Sequence, residues 1–149
     1  REFMDSFQNF HQLPYFRNAA NEIRNSKQSA SQFIDAGARI GVGTDAASPL
    51  SMHLAAIWRE MSALVDSGMT PIQVISAATK TNAEILGVFA ERGSLEPGKQ
   101  ADILVVAGNP LEDVEVLGRV ALVAKGGALW VTESSTLQVD GPVNHFRTP

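Results

Sequence analysis

The stretch Arg39-Ile40-Gly41-Val42-Gly43-Thr44-Asp45-Ala46 decides how this chain reads. Ile40 and Val42 stand among glycines with no apolar partner at helical spacing nearby, so residues 39–45 are expected to form a short buried strand ending on a polar Thr-Asp pair. A carboxylate at the C-terminal end of a buried parallel strand lies where α/β folds place their active sites, which makes Asp45 the leading candidate for chemistry. Asp is also a common turn residue, and a cap on the loop before the next helix accounts for it equally well.

Helices flank this segment on both sides. On its N-terminal side Ala20, Ile23, Ala30, Phe33 and Ile34 recur at helical spacing between Arg17 and Ala36, and Gly37 supplies the stop. Residues 1–16 show no clear period and are expected to be loop with at most one short helix. On the C-terminal side Leu54, Ile57, Trp58, Met61, Leu64 and Val65 follow an i, i+3, i+4, i+7 pattern that stops at Gly68. Thr70-Pro71-Ile72-Gln73 combines an N-cap Thr, a Pro at the first helical position and a Gln at the capping-box position. Thr81-Asn82-Ala83-Glu84 repeats that spacing, so two short helices with a break near residues 79–81 are expected before Gly87. Beyond Gly93 the pattern turns to strands: 102–107, then 120–124 and 128–131 around a Lys125-Gly126-Gly127 hairpin signal.

Composition narrows the function classes. The 149 residues carry 12 Lys+Arg against 16 Asp+Glu, a net charge of −4, with 44% hydrophobic and 19% charged residues, as expected of ordered chain rather than a disordered tail. No apolar run approaches the roughly 20 residues that cross a bilayer, and no basic face offers itself to phosphate backbones. Neither membrane nor nucleic acid is an expected partner. The absence of cysteine excludes disulfides, thiolate nucleophiles and cysteine metal sites. Arg1-Glu2-Phe3-Met4-Asp5 lacks a signal-peptide layout and reads as a chain entered midway.

Other chemistries find weaker support. Gly41-Val42-Gly43-Thr44-Asp45-Ala46 loosely matches G-x-G-x-x-A, but that fingerprint needs a second strand with an acidic end about 20 residues on, where this chain is helical. Asp45 would also face the pyrophosphate. His11, His53 and His145 are scattered, with no H-x-H or H-E-x-x-H pair, and spacing gives no reason for His11 and His53 to converge on Asp45. No serine lies in a G-x-S-x-G elbow. Glu60 falls on the polar side of its helix, whereas Trp58 and Met61 fall on the core side.

Five pieces in order carry a resemblance. These are Gly41–Ala46; Glu60 with Leu64-Val65-Asp66-Ser67-Gly68-Met69-Thr70-Pro71; Ala77-Ala78-Thr79 with Asn82-Ala83 and Leu86-Gly87; Arg92-Gly93-Ser94-Leu95-Glu96-Pro97-Gly98-Lys99-Gln100-Ala101-Asp102-Ile103; and Gly108-Asn109-Pro110-Leu111-Glu112-Asp113. Over residues 37–127 the chain resembles the C-terminal part of the metal-dependent amidohydrolase superfamily, nearest its imidazolonepropionase-like and Xaa-Pro dipeptidase-like branch.

The resemblance implies an α/β fold: the C-terminal fragment of a TIM-like (β/α)8 barrel followed by part of a small composite β-sandwich. Residues 1–90 would be the barrel portion with its eighth strand at 39–45, residues 91–133 the sandwich share, and 134–149 a tail. It implies one or two divalent metals, commonly zinc, with Asp45 as metal ligand and as the general base, then acid, of carbon–nitrogen bond hydrolysis. The implied partners are a small-molecule or dipeptide substrate and the remainder of the enzyme chain, with a homo-oligomer left open. The loop Ala46–Met52, with Ser48 and Ser51, would lie beside the pocket. The family's H-x-H after the first strand, its bridging lysine or carboxylate after the fourth and its histidines after the fifth and sixth are absent here. One ligand cannot hold a catalytic metal, and a whole barrel takes about 250 residues. The expectation is therefore a fragment inactive by itself. The competing class is a non-catalytic scaffold or interaction module, against which the retained Asp45 argues mildly.

Overall fold

The structure, a computed structural model, describes residues 14–46 and 53–131. Helix α1 spans Pro14–Asp35 and α2 spans His53–Asp66. Helix α3, Pro71–Ser76, runs through a π-helical turn, Ala77–Thr81, into α4, Asn82–Ile85. Strand β1, Ile103–Val106, is followed by a 3-10 turn, Val114–Gly118, then β2, Val120–Lys125, and β3, Ala128–Val131.

The helix ends are made by the residues the sequence singled out. Thr70 accepts the Gln73 N–H while the Gln73 side chain accepts the Thr70 N–H, a complete capping box with Pro71 behind it. Helices α1, α2 and α4 close with one device. The N–H groups of Ala38, Met69 and Val88 reach back to the carbonyls of Phe33, Leu64 and Ala83, across Gly37, Gly68 and Gly87, all at positive φ. The expected second capping box does not form: Thr81 has helical angles and makes no side-chain cap. Its helix never breaks. It continues through the π turn, where the Asn82 N–H bonds to Ala77 O and the Thr79 hydroxyl to Ile75 O.

The core joins the helices to the later segment. Val42, Met61, Leu64, Val74 and Ala77 are buried together, and Val114 of the 3-10 turn completes the cluster. Val74 is fully buried. The Trp58 ring lies against Gly118, whose added Cβ would meet Nε1 at 3.2 Å. Helix α1 sits at the margin, tied by the Lys27–Asp66 ion pair, and Phe33 on its predicted inner face is 61% exposed because no described residue covers it.

Residues 38–45 join the first two helices. Up to Asp45 they carry neither helix nor turn, with Val42 buried, and they form no ladder, because no described strand lies beside them. A strand exists only as a member of a sheet, since its backbone groups need neighbours.

The three later strands form an antiparallel sheet in the order β1-β2-β3. Ile103 faces Ala124, Leu104 faces Val123 and Val105 faces Leu122, after which a bulge brings Val106 opposite Val120. Lys125 pairs with Ala128 across Gly126-Gly127, both at positive φ, as a two-residue hairpin of matching twist demands. The connection ahead of the sheet is knitted by Lys99, which donates to Ser94 Oγ at 2.6 Å and lies 3.4 Å from the Phe89 ring centre.

Candidate functional site

Asp45 ends the extended segment with φ 43°, the one non-glycine residue at positive φ among those described. Asp tolerates this left-handed conformation better than most residues, because its short polar side chain bonds locally. Its side chain is exposed. Beside it the Thr44 hydroxyl accepts the Ala46 N–H at 3.3 Å. The carboxylate is thus presented to the outside on a chain that turns immediately after it.

Three residues earlier the chain is gripped. The Asn82 side-chain oxygen accepts the Val42 N–H at 3.0 Å, and its amide nitrogen donates to Val42 O at 2.8 Å. Both backbone groups of a buried residue are thereby satisfied by one primary amide from a helix 40 residues away. Gly41 makes the approach possible, for a Cβ there would stand 2.5 Å from Asn82 Oδ1. Relative to an uninterrupted α-helix from Pro71, the π turn rotates residue 82 by about 100°, bringing the amide onto the chain. An ion pair between Arg39 and Glu84, 2.8 Å, ties the same two segments at their exposed margin.

This geometry disposes of the dinucleotide reading. Gly41 and Gly43 lie outside the left-handed region, the run is extended rather than turned, and the Val42 N–H is already bound to Asn82. A phosphate would find no cradle there.

Of the other sequence candidates, His53 opens α2 but its side chain lies outside what is described, as do His11, His145, Ser48 and Ser51. Glu60 is half-buried on α2, and Met61 is buried as expected. No group of three His, Asp or Glu side chains that could hold a metal ion gathers among the described residues. Two other carboxylates have distinctive settings. Hydrogen bonding from the Ser94 hydroxyl, then the Lys99 charge, holds Glu96 below the usual carboxylate range. Hydrogen bonding from Lys125, then from the Gly126 N–H, does the same for Asp102. Both knit turns. No described helix is long and apolar enough to cross a membrane.

Sequence reasoning overlooked the grip of Asn82. Its signal was a glycine inside an apparent strand, which marks close approach of another group, together with an amide side chain next to buried Ala83.

A model of the amidohydrolase family matches residues 16–129. Ochratoxinase of Aspergillus niger is 37% identical over 103 residues, which are 65% of this chain and 20% of that protein. Imidazolonepropionase of Thermoplasma acidophilum is 32% identical over 88 residues, 59% of this chain and 21% of that protein. The solved structure of a Xaa-Pro dipeptidase with methionine bound in its active site superposes with a TM-score of 0.66 at 34% identity, covering 71% of this chain and 25% of that one. That likeness supports a TIM-barrel-type fragment of mixed α and β content. The chain spans about a fifth of the length of these curated relatives.

Proposed function

The chain belongs to the amidohydrolase family, and from this we propose that it is the C-terminal part of a metal-dependent hydrolase of carbon–nitrogen bonds. Residues 39–45 act as the eighth barrel strand once its neighbours are present, and the β1–β3 sheet is the C-terminal share of a small β-sandwich. The observation that carries the reading is the Asp45 carboxylate, exposed at the end of an extended segment whose Val42 is buried and held. Exposed apolar side chains support the view that this surface meets further chain: Phe33, Ile85 and Leu86 on the helical part, and Leu104 on β1, are each about half exposed or more.

A carboxylate is a donor that zinc and other divalent cations accept, so Asp45 fits one position of a metal site. When bound, such a cation polarises water and the scissile carbonyl. Asp45 takes a proton from the attacking water, becoming a carboxylic acid, and delivers that proton to the departing nitrogen, returning to the carboxylate. One residue thereby serves as base and then acid, and the proton balance closes. The substrate is a small molecule or dipeptide with an amide-type bond, the chemistry suggested by relatives named as an imidazolonepropionase and a Xaa-Pro dipeptidase.

A catalytic zinc typically takes three protein ligands. The 149-residue chain by itself is therefore inactive, and the complete protein containing it is active. The test is hydrolysis of dipeptide and cyclic-amide substrates, with zinc content, for the isolated chain, the complete protein and its Asp45→Asn variant. Activity confined to the complete protein and lost in Asp45→Asn supports the reading. Turnover by the isolated chain, or full activity of Asp45→Asn, overturns it, and a metal-free inactive complete protein leaves the scaffold class standing.

A further inference from the structure

We infer that Asn82 is a positioning residue for Asp45, setting where the carboxylate stands at the mouth of the site. This role rests on the catalytic reading of Asp45 given above. In an extended chain the N–H and C=O of one residue point to the same side, and a primary amide offers an acceptor and a donor at matching separation. Asn82 meets Val42 with both, at 3.0 and 2.8 Å, and so acts as a single-residue stand-in for a neighbouring strand. Gly41, with no Cβ to fend the amide off, lets it sit flat against the chain.

Only Gly43 and Thr44 separate that anchor from Asp45, a reach of about 10 Å along extended chain. Gly43 is exposed, and an added Cβ there would meet nothing within 4 Å, so among the described residues no packing steadies the chain between anchor and carboxylate. Among the described residues the position of Asp45 is consequently set from two places: the Val42–Asn82 pair behind it and its own left-handed turn. Release of the first lets the segment pivot at Gly43. A displacement of about 1 Å in a catalytic group costs about a hundredfold in rate.

The test uses the complete protein, with Zn2+ as the probe. Hydrogen exchange over residues 40–46 is followed in the metal-free form, Zn2+ affinity by titration, and kcat and KM separately. Asn82→Ala is expected to speed exchange at residues 41–45 about tenfold, to weaken Zn2+ about 10- to 100-fold, and to lower kcat about 10- to 100-fold with KM little changed. Asn82→Asp keeps the acceptor for the Val42 N–H and loses the donor to Val42 O, so it carries the test should Asn82→Ala fail to fold. Thr70→Ala, which removes an exposed helix cap outside the cluster that holds Val42, is the control for lost stability without a lost anchor, and it leaves exchange at 41–45, Zn2+ affinity and kcat at the wild-type values.

Unchanged exchange in both Asn82 variants overturns the grip. Faster exchange with unchanged Zn2+ affinity and kcat overturns the positioning role. An Asp45→Asn variant with wild-type kcat and Zn2+ affinity overturns instead the catalytic reading, while the exchange result still judges the grip.

Discussion

Asp102 holds Lys125 by a 2.8 Å ion pair through one carboxylate oxygen, while its other oxygen accepts the Gly126 N–H at 2.8 Å. A single side chain just before β1 thereby grips the β2–β3 hairpin at its turn. Both bonds favour the charged form, which is why its pKa lies below the ordinary carboxylate value, with Lys125 the larger cause. A group depressed on folding contributes stability that is present above its unfolded pKa and lost as pH falls through the folded one. The hairpin should therefore loosen as pH drops below about 4. Exchange of the Gly126 amide followed from neutral to acid pH checks this. Asp102→Asn should remove the acid-dependent part of the loosening, and an unchanged acid profile would count against the grip.

Gly41→Ala places a methyl group 2.5 Å from Asn82 Oδ1, too close for either to stay. The amide must withdraw or the chain must bend, at a cost of about 1–3 kcal/mol. Urea denaturation measures the cost, and Val42 exchange reports whether the amide has left. A variant as stable as the parent would mean that Asn82 has room to retreat.

Thr70→Ala removes the acceptor for the Gln73 N–H and one half of the capping box. The expected loss is about 1 kcal/mol. It should appear as a lower denaturation midpoint with an unchanged slope, since the cap exposes little surface of its own.

Val74 is fully buried against the cluster that Val42 and Val114 share. Its truncation to Ala removes two buried methyl groups and leaves a void, for about 2 kcal/mol. Calorimetry of the variant checks the magnitude, and a loss well under about 1 kcal/mol would show that the cluster collapses to fill the gap.

Helix ends and turns were legible because they are local. Gly37, Gly68 and Gly87 end helices, Thr70 starts one and Gly126-Gly127 turns a hairpin through bonds spanning a few residues. Thr81 misled for the same reason. Its spacing satisfies the capping box, but with Ala77 and Ala83 buried the segment Ala77–Ile85 stays helical and passes through a π turn instead of breaking. The candidate site was legible only as Asp45, whose place at the end of the Gly-rich segment shows in the order of residues. Nothing nearby in the chain announces the amide that grips it.

The amino-acid order by itself determined the helices, their caps, the hairpin and the candidate carboxylate, because each depends on residues a turn or two apart. Tertiary structure decided the rest. Residues 38–45 lack a described sheet partner and are held instead by Asn82, 40 residues on. Val114 crosses from the later segment to complete the helical core. The physical reason is that an extended backbone must satisfy its N–H and C=O groups outside its own segment. Which distant group meets them follows from how the helices pack, so the role of Asn82 emerges only when the chain is folded.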